Sequence, residues 1–144
     1  MTSDELHELC ARICRVTASD VVEVAAALGL PGDVVEDSRD IALLVPPTPG
    51  ARRVVLGRYE GAFTDLGIVL SSRALTLADL DRRFGPGERL PRRDPDRPYK
   101  IAYRVELAGA PFSCALYAVI ADVTELPHAR TVVTELNLRR DARD

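Results

Sequence analysis

His7, Cys10 and Cys14 stand at i, i+3 and i+7. On a helix this spacing puts one imidazole and two thiols on one face, a donor set suited to zinc. The same stretch carries Leu6, Leu9 and Ile13, so Cys10 falls inside an apolar stripe. No CxxC and no second cysteine pair completes a tetrahedral site. The pattern therefore predicts packing, with the three cysteines as reduced, apolar-like thiols. No metal or cofactor is expected.

Nucleophilic catalysis needs a base within hydrogen-bond reach of the nucleophile. Cys114 and His128 could form such a pair, but Cys114 alternates with apolar residues, which predicts burial. Ser71, Ser72 and Ser113 lie in no GxSxG elbow. GxGxxG, Walker-type and HExxH motifs are absent. An enzyme is thus the weaker expectation. As a small enzyme or small-molecule carrier, the chain would need a cavity between helices and sheet, with Tyr59, Tyr99, Tyr103 and Tyr117 as its polar handles.

The richest functional signal is the segment from Arg82 to Arg97. Six arginines there outnumber Glu88, Asp94, Asp96 and the adjoining Asp81, leaving a net +2 with Asp81 counted. Residues 85–98 read as a loop holding four of the ten prolines. Loops of this length in compact domains are often functional. Proline lowers the entropy cost of ordering such a loop on binding. Arginine beside an isolated apolar residue suits an interface anchor. Arg89, Leu90, Arg92 and Arg93 are accordingly the expected partner-binding residues, and an acidic protein is the expected partner. The loop has no aromatic platform for stacking bases.

These residues need elements to hold them. Apolar spacing predicts helices over 3–16, 18–28 and 76–84, capped by Ser3, by Thr17 with Asp20, and at Thr76. Strands are predicted at 41–45, 52–59, 62–71, 99–107, 112–120 and 131–138. Residues 30–40 read as an acidic connection, and 140–144 as a frayed polar tail. Leu9, Ile13, Leu28, Leu80, Phe84, Ile101, Val105, Leu116 and Leu136 are the expected core. The fold class is α+β in a single domain: an antiparallel sheet of five or six strands with about three helices on one face.

The chain also reads as one unit built twice. Thr17-Ala18-Ser19-Asp20 and Thr76-Leu77-Ala78-Asp79 each open a helix that ends at glycine, Gly29 and Gly85, and three strand-like runs follow each. The expected units are 17–71 and 76–139. The run Thr76-Leu77-Ala78-Asp79-Leu80-Asp81-Arg82-Arg83-Phe84-Gly85-Pro86, followed by antiparallel strands, resembles the repeat of beta-lactamase inhibitory protein-like domains. That resemblance implies tandem α/β units used for protein binding. It carries over no functional residue and no inhibitory activity.

Charge narrows the partners. Residues 1–40 hold nine acidic and three basic side chains, against a net −3 for the whole chain. This asymmetry would suit head-to-tail pairing into a homo-dimer. Two helices joined at Val16-Thr17-Ala18 suggest a helix-turn-helix, but the second carries Asp20 and Glu23 with no arginine or lysine. It would repel phosphate, so nucleic acid is not an expected partner. No run of about 18 apolar residues is present, so no membrane partner is expected. The acidic Met1–Glu5 lacks a signal-peptide core, which predicts a cytoplasmic location.

Overall fold

A computed structural model describes residues 1–143. Helix α1 spans Ser3–Arg15. Its cap is Thr2 rather than Ser3. The Thr2 hydroxyl accepts the Glu5 N–H at 3.2 Å, and the Glu5 carboxylate reaches back to the Thr2 N–H at 3.4 Å. This reciprocal box requires the carboxylate three positions after the cap, which selects Thr2. Helix α2 is short, Val21–Ala27. Asp20 caps it alone, accepting the Val22 and Glu23 N–H groups at 3.2 Å each. Helix α3, Leu77–Phe84, carries a capping box between Thr76 and Asp79.

Among the described residues, eight strands form one antiparallel sheet, two or three more than the sequence predicts. They are β1 (Asp33–Glu36), β2 (Ile41–Val45), β3 (Ala51–Tyr59), β4 (Ala62–Leu70), β5 (Glu88–Arg89), β6 (Tyr99–Val105), β7 (Phe112–Ile120) and β8 (Glu135–Ala142). The order across the sheet is β1-β2-β3-β4-β8-β7-β6-β5. Each of α2 and α3 is thus followed by a meander of four strands, not three, and the meanders meet at β4 and β8. The unpredicted strands are the two outermost. β1 is mostly exposed and lacks an apolar alternation. β5 has only two residues, pairing Glu88 with Ala102 and Arg89 with Ile101. Neither leaves a periodic trace in the sequence. The 85–98 loop is therefore interrupted by an edge strand.

Alternate residues of every long strand face the helices. Val54, Leu56, Leu66, Ile68, Leu116, Leu136 and Leu138 are all 1 % exposed or less. Opposite them α1 buries Leu6, Cys10, Ile13 and Cys14. The expected core residues lie in this layer, with Leu9 and Phe84 partly buried at its margin. The Tyr103 hydroxyl donates to Asp81 on α3 at 2.8 Å. Burial and that carboxylate together raise the tyrosine pKa. Gly87 passes directly over the Tyr103 ring: a Cβ there would lie 2.7 Å from it.

Two features of this layer correct the sequence reading. Cys14 on α1 and Cys114 on β7 are joined as a disulfide, with Cα atoms 5.9 Å apart. A separation of 100 residues hides that pairing from any local pattern. It also removes Cys14 from a metal set with Cys10 and Cys114 from a dyad with His128. Cys10 keeps a free thiol, its pKa pushed up to about 12 by burial. Second, the end of the chain is not frayed through 140–142. Residues 131–133 pair with the approach to α3, Leu77 N–H to Thr131 O at 3.1 Å and Val133 N–H to Leu75 O at 2.9 Å. The last strand accordingly begins later, and its pairing with β7 runs on to Ala142. Arg140 is only 5 % exposed. It donates to the carbonyls of Val16 and Ala18 and lies between the rings of Phe63 and Phe112.

Leu116 is fully buried on a strand flanked by β6 and β8. Leu116→Ala should cost about 2–5 kcal/mol in urea denaturation; a loss below about 1 kcal/mol would contradict its central position. The Asp79 carboxylate accepts from the Thr76 N–H and hydroxyl, both at 3.0 Å. These bonds hold its pKa below the ordinary 3.8. A depressed carboxylate stabilises the fold above the unfolded pKa, and the gain is lost as pH falls through the folded value. Asp79→Asn should therefore flatten the stability profile below about pH 4. Superimposable acid profiles for the two proteins would count against the cap.

Candidate binding groove on the open sheet face

The second face of the sheet carries the other half of each strand's alternation, and no helix packs on it. One row crosses it in register: Leu43, Val55, Gly67, Asn137, Tyr117 and Ala102. Gly67 sits at the middle of this row, on a strand paired on both sides. Glycine inside a strand sacrifices about 0.5–1 kcal/mol relative to alanine and often marks close approach by another group. At Gly67 the protein itself does not demand it. A Cβ there would meet nothing nearer than Val55, at 3.8 Å. The missing side chain leaves a notch in the floor.

Gly57, also on this face, has a different cause. The Asp65 carboxylate occupies the space its Cβ would need. Asp65 accepts from the Thr64 hydroxyl and from the Asn137 side-chain amide, each at 2.7 Å. Asn137 is thereby held in a fixed orientation beside the Gly67 notch.

Around the notch lies a groove of about 800 Å³. Gly67, Tyr117, Val119 and Asn137 form its floor. The segment following β5 forms one wall, contributing Leu90, Arg92, Arg93 and Arg97, with Lys100 below it on β6. The groove continues past Gly67 into a bay of about 380 Å³ beside Arg53, Val55 and Asp65. Five cationic side chains line the main groove, Arg92, Arg93, Arg97, Lys100 and Arg139, against the single carboxylate of Glu135.

The wall is built rather than loose. The Leu90 N–H donates to the Lys100 carbonyl at 2.9 Å. Arg92 braces the turn beyond it, donating to the carbonyls of Pro95 and Arg97 at 2.8 and 3.2 Å. It also donates to the Tyr99 hydroxyl at 2.8 Å. Its guanidinium lies over the Tyr99 ring, 3.7 Å from the centroid. Asp94 turns the chain by accepting the Asp96 N–H at 2.9 Å.

The four residues expected to contact a partner have separate places. Leu90, half-buried, and Arg93, exposed, both line the groove. Arg92 lines it too, but most of its donors are spent on the loop. Arg89 lies on the edge strand β5, outside the groove lining. Among the described residues, no carboxylate comes within ion-pairing distance of Arg89, Arg92, Arg93 or Arg97. The floor was not expected. Its one sequence signal is a glycine within a strand pattern, together with Tyr117 and Val119 facing away from an apolar core stripe.

The four tyrosines do not converge. Tyr59 is 70 % exposed at the end of β3. Tyr103 is buried against α3, Tyr99 is held by Arg92, and Tyr117 lies in the groove floor. His7 packs on Phe84, their rings 5.5 Å apart. Burial and the neighbouring Arg83 lower its pKa, partly offset by Asp4. His128, on the loop before β8, contacts Glu125 at 3.2 Å. No helix is long and apolar enough to cross a membrane among the described residues.

Comparison with family models, with curated proteins and with solved structures finds no match to this chain.

Arg92 should therefore behave as a structural residue of the wall. Arg92→Ala should lower stability by about 1 kcal/mol and speed amide hydrogen exchange between Leu90 and Arg97. Unchanged exchange across that segment would show that the brace is dispensable.

Proposed function

We propose that this chain is a non-enzymatic protein-binding domain, and that its open sheet face, with the wall after β5, receives an acidic partner. The observation that carries the reading is the charge of the groove. Arg93, Arg97 and Lys100 line it with no carboxylate partner among the described residues. They are joined by Arg92, which braces the loop, and Arg139, which pairs with Asp141, against the lining carboxylate of Glu135, on a chain whose net charge is −3. Such local inversion of charge steers and selects an oppositely charged partner. The groove offers hydrogen-bonding and apolar floor residues with no paired nucleophile and base. Between helices and sheet, where a carrier would need its cavity, Leu6, Ile13, Leu28 and Leu56 are fully buried.

Two further proposals accompany it. The mirrored strand order about β4 and β8 supports an origin by duplication of a helix-and-strands unit, in keeping with the resemblance to beta-lactamase inhibitory protein-like repeats. The Cys14–Cys114 bridge favours work in an oxidising compartment over the cytoplasm, where such bonds are rare.

Because Arg92 braces the wall, the test of binding falls on its exposed neighbours. Arg93→Glu with Arg97→Glu should remove capture of a native protein partner from a lysate. Stability should change by no more than about 0.5 kcal/mol, as for surface sites. A matching reversal outside the groove, Arg52→Glu with Arg73→Glu, should leave capture intact. Undiminished capture by the groove double variant would overturn the reading.

A further inference from the structure

We infer that the groove's occupant is a short extended protein segment whose acidic side chains face the wall and whose one large apolar or aromatic side chain seats in the Gly67 notch. This rests on the binding reading above and adds the chemistry of what is bound. Three observations carry it. The first is the notch itself. Gly67 lies on one of the two strands at the middle of the sheet, in a row otherwise bearing side chains, and the space its Cβ would fill is open. Tyr117 and Val119 provide apolar surface in the same floor. A planar or branched side chain entering from outside can therefore reach backbone at Gly67 and ring at Tyr117 together.

The second is the arrangement of charge. Arg93, Arg97 and Lys100 stand along the wall side of the groove. Asp65 on β4 and Glu135 on β8 stand toward the opposite bank, where the bay begins, interspersed with Arg53, Arg58 and Arg139. A ligand anionic along its whole length, such as a polynucleotide, would meet Asp65 and Glu135 among the arginines of the far flank. Its bases would also find a single aromatic ring, Tyr117, where stacking needs several. A peptide can place carboxylates on one side only. The third is size. About 800 Å³ falls in the range of roughly 300–1,000 Å³ typical of sites for small ligands, which suits one segment rather than a whole domain face.

The test uses defined probes with the intact protein. The first is a fluorescein-labelled ten-residue peptide of aspartate, glutamate and serine with one central tryptophan. The others replace that tryptophan with alanine, or every acid with lysine, or are a single-stranded RNA of matching length. Binding is read by anisotropy and by amide shifts in NMR spectra. The tryptophan peptide should shift Gly67, Tyr117 and Val119 and bind at least tenfold more tightly than the alanine and lysine versions. Gly67→Val, which fills the notch, should erase the tryptophan advantage while leaving the alanine peptide unchanged. Gly67→Ala, a smaller filler that the open space accommodates, should reduce it in part. Arg93→Glu with Arg97→Glu should weaken both acidic peptides at least tenfold.

Equal loss of both peptides on filling the notch, or none, would overturn the inference. So would tighter binding of RNA, shifts confined to other surfaces, or sedimentation showing that the groove variants dissociate a self-associated form. The two readings fail separately. Loss of native capture in the arginine double variant, with no tryptophan dependence at Gly67, retains a protein-binding groove and removes this occupant. Undiminished native capture removes the binding reading itself.

Discussion

Five backbone pairs between β4 and β8, from Asp65↔Arg139 to Val69↔Glu135, turn two four-stranded meanders into one sheet. Every other feature depends on that seam. It sets the buried Leu66, Ile68, Leu136 and Leu138 side by side beneath the helices. On the other face it brings Gly67 next to Asn137, and Asn137 next to Tyr117. The groove floor therefore combines residues about 70 positions apart in the chain: the Asn137 amide to Asp65 bond spans 72 residues. The first meander supplies the Gly67 notch, and the second supplies Tyr117, Val119 and Asn137 beside it.

Arg140 ties the helical layer to the same seam. A buried guanidinium is costly unless its donors are satisfied. Here two donors meet the Val16 and Ala18 carbonyls, in the turn between α1 and α2, while the buried Nε has no hydrogen-bond partner among the described residues. Aromatic faces of Phe63 and Phe112 supply much of the remaining surroundings. Burial lowers the guanidinium pKa, and among the described residues the carbonyl dipoles, rather than a carboxylate, face it. The connection between the first two helices is thus held by the last strand. The disulfide does similar work one strand over, between α1 and β7.

The sequence was most legible where periodicity is strong. The three helices, the long strands and the inward set from Ile13 to Leu136 follow from apolar spacing. It was least legible where structure depends on partners distant in the chain. β1 and β5 are held by their neighbours' backbones rather than by an apolar pattern. Thr131–Val133 reads as strand, yet pairs with the approach to α3, which moves β8 along by four residues. Cys14 and Cys114 match apolar neighbours in pattern and become a bond only through the topology. At the site, the Pro/Arg wall was visible as composition. The floor was not, because Gly67, Tyr117 and Asn137 lie on three strands whose adjacency no local spacing encodes. Arg92 shows the limit of composition: its residue type suits an interface, and its geometry makes it a brace.

An open antiparallel sheet has two rims that could recruit further strands. Both outermost strands here are poor templates. β5 offers two residues before Pro91 interrupts it, and β1 carries Asp33 and Glu36 at its ends, followed by Asp37 and Asp40. Short length, proline and charge are the usual means by which a sheet resists growing into fibrils. The chain can therefore keep part of a sheet face free of helices without inviting its own copies to pair edge to edge.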